Sequence, residues 1–282
     1  MKYSKIKSYA KINLALNIIG KTSSLHKIES IIAFVDLHDV ILIKSIKSKK
    51  HNISFSGNFS KNISKKNTVS NLLEILEKKK LLNDKKFKIK IHKKIPSQAG
   101  LGGGSMNAAS ILKYFIKKKK MIKINQKKII EICKLVGSDV ILGVNSTNSI
   151  LSSSDKIRYF EKCKKFYILI VKPSFGCSTK EIYSKVRKFS KPQIKKPIKS
   201  IFDLNYLKKM NNSLEQIAIS KHPKLKSIKL YLERSCNSVF VRMTGSGSAF
   251  VAYFQSKNRC LNAKKKFSKK YKNYWCIASK TI

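Results

Sequence analysis

The chain has 282 residues, 42% of them hydrophobic, with 14 Phe and 11 Tyr. That is apolar material for a large core and too much for a disordered chain. The net charge is +48, yet only five of the 62 basic residues are arginines, and the lysines are spread along the whole sequence. Readers of nucleic acid favour the arginine fork for phosphate and guanine. The composition therefore argues against nucleic-acid binding as the main role and fits drift toward AT-rich codons.

In chain order, residues 1–20 (MKYSKIKSYAKINLALNIIG) begin basic and turn apolar as a signal peptide would. Lys11 and Asn13 interrupt the apolar part, and no small-residue cleavage site follows. Nowhere is there a run of about 18 apolar residues, so no membrane span is expected. The expectation is a cytoplasmic enzyme. Residues 12–20 read as a buried strand. Residues 28–43 read as two strands joined by a turn at Leu37–Asp39, and 52–59 as a short strand broken by Gly57. The apolar spacing of 67–82 predicts a helix with Asn67 as its N-cap. In 87–96, Phe87, Ile89 and Ile91 alternate with lysines, the mark of a half-exposed strand.

That strand runs into 95-IPSQAGLGGGSMNAASIL-112, where Ala108, Ile111, Leu112 and Phe115 predict a helix with one buried face. A second helix over 126–137 ends at Gly137, and 140-VILGV-144 is apolar. Further on, 166–173 reads as a strand, 189–200 as an exposed connection, and 239–254 as two strands about a glycine turn. The pattern is α+β, with two domains expected at 1–155 and 156–282. Six scattered cysteines form no CxxC pair and suggest buried small hydrophobes rather than a metal site.

Four glycines in five residues at a helix start make an anion site: backbone N–H groups point outward and no side chain blocks a phosphate. The common phosphate motifs do not fit. A P-loop needs GK[ST], whereas this loop ends Gly104-Ser105-Met106. A dinucleotide fingerprint needs an acid about 20 residues on, and 117–128 has none. A protein-kinase loop lies between two strands.

The stretch 96-PSQAGLGGGSMNAA-109 resembles the nucleotide-binding motif of the GHMP kinases. Three further stretches match motifs of that family in the same order: 9-YAKINLALNIIG-20, 137-GSDV-140 and 244-TGSGSAFVAYF-254. The resemblance implies a two-domain GHMP kinase fold: an N-terminal lobe like the second domain of ribosomal protein S5, an α/β C-terminal lobe, and the active site in the cleft between them. It implies ATP as phosphoryl donor, with Mg²⁺ whose protein ligands are unassigned. The acceptor would be a small molecule. The GGGSxNAA variant and the AKINL opening favour a cytidine diphosphate-linked polyol over the homoserine or mevalonate type. No membrane partner, no specific nucleic acid, and a monomer or homodimer are expected.

Residue by residue, the resemblance makes Lys11 and Asp139 a catalytic pair: Asp139 takes the proton of the acceptor hydroxyl and Lys11 favours its ionised form. On spacing alone Lys11 is one lysine among many and Asp139 a helix-end cap. Pro96, Gly100, Leu101, Gly102, Gly103, Gly104, Ser105 and Asn107 would hold the nucleotide. Asn13, His26, Thr179, Tyr183, Gly245 and Gly247 would bind the substrate, with Tyr183 stacking on the cytosine. The chain also departs from the pattern. Leu25 in 24-SLH-26 replaces an aromatic residue, Met106 a second serine, and Ile141-Leu142 a Pro-Phe pair. Residues 149–157 lack the expected glycines.

Overall fold

A computed structural model describes residues 2–23 and 25–282. Ten strands and nine α-helices follow one another as β1 (Ser4–Lys21), β2 (His26–Ile46), β3 (Asn52–Ser56), α1 (Thr68–Lys78), β4 (Lys86–His92), α2 (Gly103–Lys117), α3 (Gln126–Val136), α4 (Val140–Asn145), β5 (Asn148–Leu151), β6 (Ile157–Phe160), β7 (Tyr167–Lys172), α5 (Thr179–Ser184), α6 (Leu204–Lys208), α7 (Glu215–Lys221), α8 (Lys224–Ser235), β8 (Phe240–Met243), β9 (Phe250–Phe254), α9 (Lys257–Lys270) and β10 (Trp275–Lys280). The chain divides into two compact units that interleave in sequence. The first takes the chain up to Ala10, Leu37–Ser97 and Gly102–Ser146; the second takes Lys11–Asp36, Gln98–Leu101 and Thr147–Ile282.

In the first unit the later half of β2 pairs antiparallel with β4, Ile41 opposite Ile91 and Ile43 opposite Ile89. β3 lies parallel on the other side of β4. The alternation read from the sequence is kept: Phe87, Ile89 and Ile91 are buried, and the lysines between them are not. Helices α1 to α3 cover the apolar face with Leu72, Leu76, Leu112, Phe115 and Ile132. α1 starts where Asn67 predicted, in a capping box: Asn67 Oδ1 accepts from Val69 and Ser70 N–H, and Ser70 Oγ accepts from Asn67 N–H.

The expected turn at Leu37–Asp39 is a correction: β2 runs unbroken through it. Leu37 packs inward at 4% exposure, and Asp39 is fully buried. An acid that would normally mark a turn is here an internal acceptor, whose donors lie more than fifty residues further along the chain. The apolar run 140–144 is the short helix α4.

In the second unit β7, β9, β8 and β10 form an antiparallel sheet in the order β10-β7-β9-β8. Helices α8 and α9 pack on it through Leu225, Ile228, Leu232, Ala263 and Phe267. The early part of β2 pairs with β5, and β5 with β6. Two buried acids brace this unit. Glu29 accepts from Asn17 Nδ2 and from Gln193 and Ile194 N–H; Glu215 accepts from Lys229 Nζ and Met243 N–H. All six cysteines are free thiols, five of them buried. Among the described residues, no helix is long and apolar enough to cross a membrane.

Candidate active site

In the first unit the site is built around the start of α2. Gly102 caps the helix in the left-handed conformation, φ 69°, and supplies no side-chain cap to the first-turn N–H groups. Those groups have no partner within the helix, and the helix dipole adds partial positive charge there. Packing beside these glycines is also tight. A Cβ on Gly103 would lie 3.1 Å from Ile95 Cγ2 and 3.4 Å from Lys93 Nζ; one on Gly104 would lie 3.0 Å from Thr68 Oγ1. Ser105 follows in the first turn, and Pro96 is buried in the segment leading in.

Met106 and Asn107 turn inward. Asn107 is 1% exposed and donates Nδ2 to Asp39 at 3.0 Å. Met106 faces α4: a Cβ on Gly143 would come within 2.9 Å of Met106 Sδ and 2.6 Å of Ala109 Cβ. Gly143 thus lets α4 sit close on α2, and Met106 fills the crossing. The same packing fixes Asp139, the half-buried residue immediately before α4. Its side chain caps no N–H of that helix, so capping does not account for an acid at this position. Ile141 and Leu142 are residues of α4, and Leu142 is buried.

In the second unit Lys11 and Asn13 are each 4% exposed on β1. Lys11 Nζ donates to Asn13 Oδ1 at 2.7 Å, and Asn13 Nδ2 to Ser30 Oγ at 2.8 Å. Gln98–Leu101, the first half of the glycine-rich segment, packs here. Lys11 N–H donates to the Leu101 carbonyl. Thr244 Oγ1 accepts from Asn13 N–H at 3.0 Å and donates to the Gly100 carbonyl at 3.2 Å. Gly100 has φ 71°, and a Cβ there would strike the Thr244 carbonyl, 2.7 Å from its carbon. A Cβ on Gly245, φ 54°, would lie 3.0 Å from Gly100 Cα. Asn212 holds this turn by donating Nδ2 to the Met243 and Gly245 carbonyls, both at 2.8 Å.

The structure thus brings Lys11, Asn13, Gly100, Leu101 and Gly245 together through Thr244, a buried hydroxyl that sequence reasoning passed over. Asn212, Ser30, Asp39 and Lys93 were missed as well; each is an internal partner with no local signature. Gly247, φ 85°, sits against Met243 Sδ and Cys177 Sγ. Thr179 Oγ1 lies 3.0 Å from Ser246 Oγ in the same turn. His26 and Tyr183 form a ring pair, centroids 5.2 Å apart. Burial, then the charge of Lys21, lowers the His26 pKa below 6.5 and keeps the ring neutral at pH 7.

Of the departures, Leu25 is 65% exposed, while Ser24 lies outside the described residues. Residues 149–157 make the β5–β6 hairpin, where Asp155 takes the left-handed φ of 58° that glycine usually supplies. A cavity of about 740 Å³ in the second unit is lined by Arg242, Glu215 and Lys229 among others, and none of the expected site residues lines it. Arg242 is spent on the carbonyls of Leu14, Leu207 and Met210.

The class follows from residues 67–152, which match the family model described as GHMP kinases N terminal domain. A protein of Pelagibacter ubique named 4-diphosphocytidyl-2-C-methyl-D-erythritol kinase is 57% identical over 278 residues, 99% of each chain. One of Clostridium tetani with the same name is 34% identical over 287 residues, 99% of this chain and 100% of that one. The crystal structure of a 4-(cytidine 5'-diphospho)-2C-methyl-D-erythritol kinase has the same fold, with a TM-score of 0.81 over 99% of both chains at 21% identity. The chain belongs to the 4-diphosphocytidyl-2-C-methyl-D-erythritol kinase family of GHMP kinases.

Proposed function

We propose that this chain transfers the γ-phosphoryl group of ATP to the 2-hydroxyl of 4-diphosphocytidyl-2-C-methyl-D-erythritol, a step in isoprenoid precursor synthesis. The observation that carries the reading is 57% identity over 99% of the chain to a relative of that name. The residues supply what the chemistry asks for. Phosphoryl transfer needs positioning and neutralisation of charge more than covalent help. The uncapped N–H groups of Gly103, Gly104 and Ser105 are donors for nucleotide phosphates.

Asp139 takes the proton as the acceptor oxygen bonds to phosphorus and the bond to the β-phosphate oxygen breaks, releasing ADP. Lys11, fixed by Asn13, is its electrostatic partner. Asn13 also meets the polyol end. The neutral His26 and Tyr183 rings offer a stacking surface for cytosine. Thr179 and the glycines of the 244–248 turn hold the remainder of the substrate.

Magnesium enters this reading with ATP. Among the described residues no three His, Cys, Asp or Glu side chains cluster as a metal site. Magnesium on a nucleotide needs only one or two carboxylates beside phosphates and waters, and its protein ligands are unassigned. The same reading keeps the 1–155 and 156–282 domain division and a cytoplasmic monomer or homodimer that works without nucleic acid.

The test is ATP consumption by the purified protein with and without 4-diphosphocytidyl-2-C-methyl-D-erythritol. Turnover that depends on this acceptor is expected. Turnover with homoserine or mevalonate in its place would overturn the substrate, and failure to bind ATP would overturn the kinase reading.

A further inference from the structure

Asp39 is fully buried, and its carboxylate collects four donors. Oδ1 accepts from the Lys94 and Ile95 N–H groups at 2.7 and 2.9 Å. Oδ2 accepts from Asn107 Nδ2 at 3.0 Å and from Lys93 Nζ in an ion pair whose side chains are 5% and 0% exposed. The two oxygens therefore do different work. Oδ1 grips the chain leaving β4; Oδ2 grips α2 through Asn107, five residues into the helix. Lys93 lies under the same turn, its Nζ 3.4 Å from where a Gly103 Cβ would stand. Lys93 N–H is tied in turn to the Ser56 carbonyl.

A buried carboxylate and ammonium are retained at a large desolvation cost. Here they fix the direction of the first turn of α2 from beneath, where the exposed face of that turn carries no side-chain cap. We propose that Asp39 and Lys93 are positioning residues for ATP: they aim the N–H groups of Gly103, Gly104 and Ser105 without touching the nucleotide. This inference rests on the reading that ATP phosphates bind at the start of α2.

Asp39→Asn is a selective test. The new side-chain oxygen can still accept from Lys94 and Ile95. Its NH₂ then faces the Lys93 ammonium and the Asn107 amide: the Lys93 ion pair is lost, and Asn107 keeps a bond to position 39 only by turning its Oδ1 toward it, which shifts the hold on α2. Small misplacement of a positioned group costs about ten- to a hundredfold, so the variant should raise KM for ATP at least about tenfold. KM for the polyol acceptor and kcat should stay within about twofold. The double variant Asp39→Asn/Lys93→Met leaves no unpaired buried charge, so it serves if the single variant does not fold; the same split in KM is expected of it.

A lowered melting temperature with an unchanged KM for ATP would make the pair merely structural and overturn the inference, as would an equal rise in both KM values. Ser105→Pro, which removes one first-turn N–H at a helix position where proline is tolerated, separates this inference from the reading beneath it. If that variant raises KM for ATP and the Asp39 variants do not, only the inference fails. If it leaves KM for ATP unchanged, ATP does not bind at α2, and both fail.

Discussion

The close approach of Gly100 to Thr244 makes Gly100→Ala a stringent test of this structure. Alanine would have to hold φ near 71°, and its methyl would collide with the Thr244 carbonyl. The left-handed conformation costs a residue with a Cβ about 1–2 kcal/mol. Relieving the collision must displace the Gly100 or Thr244 backbone. It thereby strains the Thr244 Oγ1 bond to the Gly100 carbonyl and the Lys11 N–H bond to Leu101, each worth about 1 kcal/mol. The sum is about 3–4 kcal/mol, and at about 2 °C per kcal/mol for a chain of this size Tm should fall by about 6–8 °C. Differential scanning calorimetry reads it directly. Gly20→Ala is the control: φ is not left-handed there, and the nearest atoms, Cβ and Cδ of Lys27, are 3.8 Å from the new methyl. Its Tm should match or slightly exceed that of the parent. If Gly100→Ala melts within about one degree of the parent, the packing argument is refuted.

Asp139→Asn should lower kcat by about 10²–10⁴; initial rates at saturating substrates check this. Tyr183→Ala should raise KM for the acceptor about tenfold, the worth of one stacked base, and leave KM for ATP unchanged. An NMR titration of His26 should show its midpoint below 6.5. With the folded pKa depressed, its contribution to stability is constant at pH 7 and above and declines as pH falls below 6.5. A midpoint above 6.5 would contradict the burial of the ring. Burial pushes the thiols of Cys133, Cys236 and Cys260 up to about 11. Iodoacetamide at pH 8 should therefore modify the half-buried Cys276 first, as peptide mass mapping would show.

Features whose physics is local could be read from the sequence. The Asn67 cap, the alternation of β4 and the glycine start of α2 each depend on residues a few positions apart, and each stands where it was expected. The Leu37–Asp39 turn failed because Asp39 answers to Lys93, 54 positions away. Gly100 was assigned to phosphates on its neighbours' account, whereas its lack of a side chain is demanded by Thr244, 144 positions away. The β5–β6 hairpin was hidden by serines and by an aspartate in a glycine's conformation. The substitution of Leu25 is not explained by any contact in the structure.

Only 14 acidic residues stand against 62 basic ones, and among the described residues three of them, Glu29, Asp39 and Glu215, are buried. Each of the three joins segments far apart in sequence. A chain that drifts toward lysine can shed carboxylates wherever water would solvate the neighbours left behind. It cannot shed these, because their donors would be stranded in the interior. The three buried acids are thus the rivets of a lysine-rich chain: each holds together segments that nothing else in the sequence marks as neighbours.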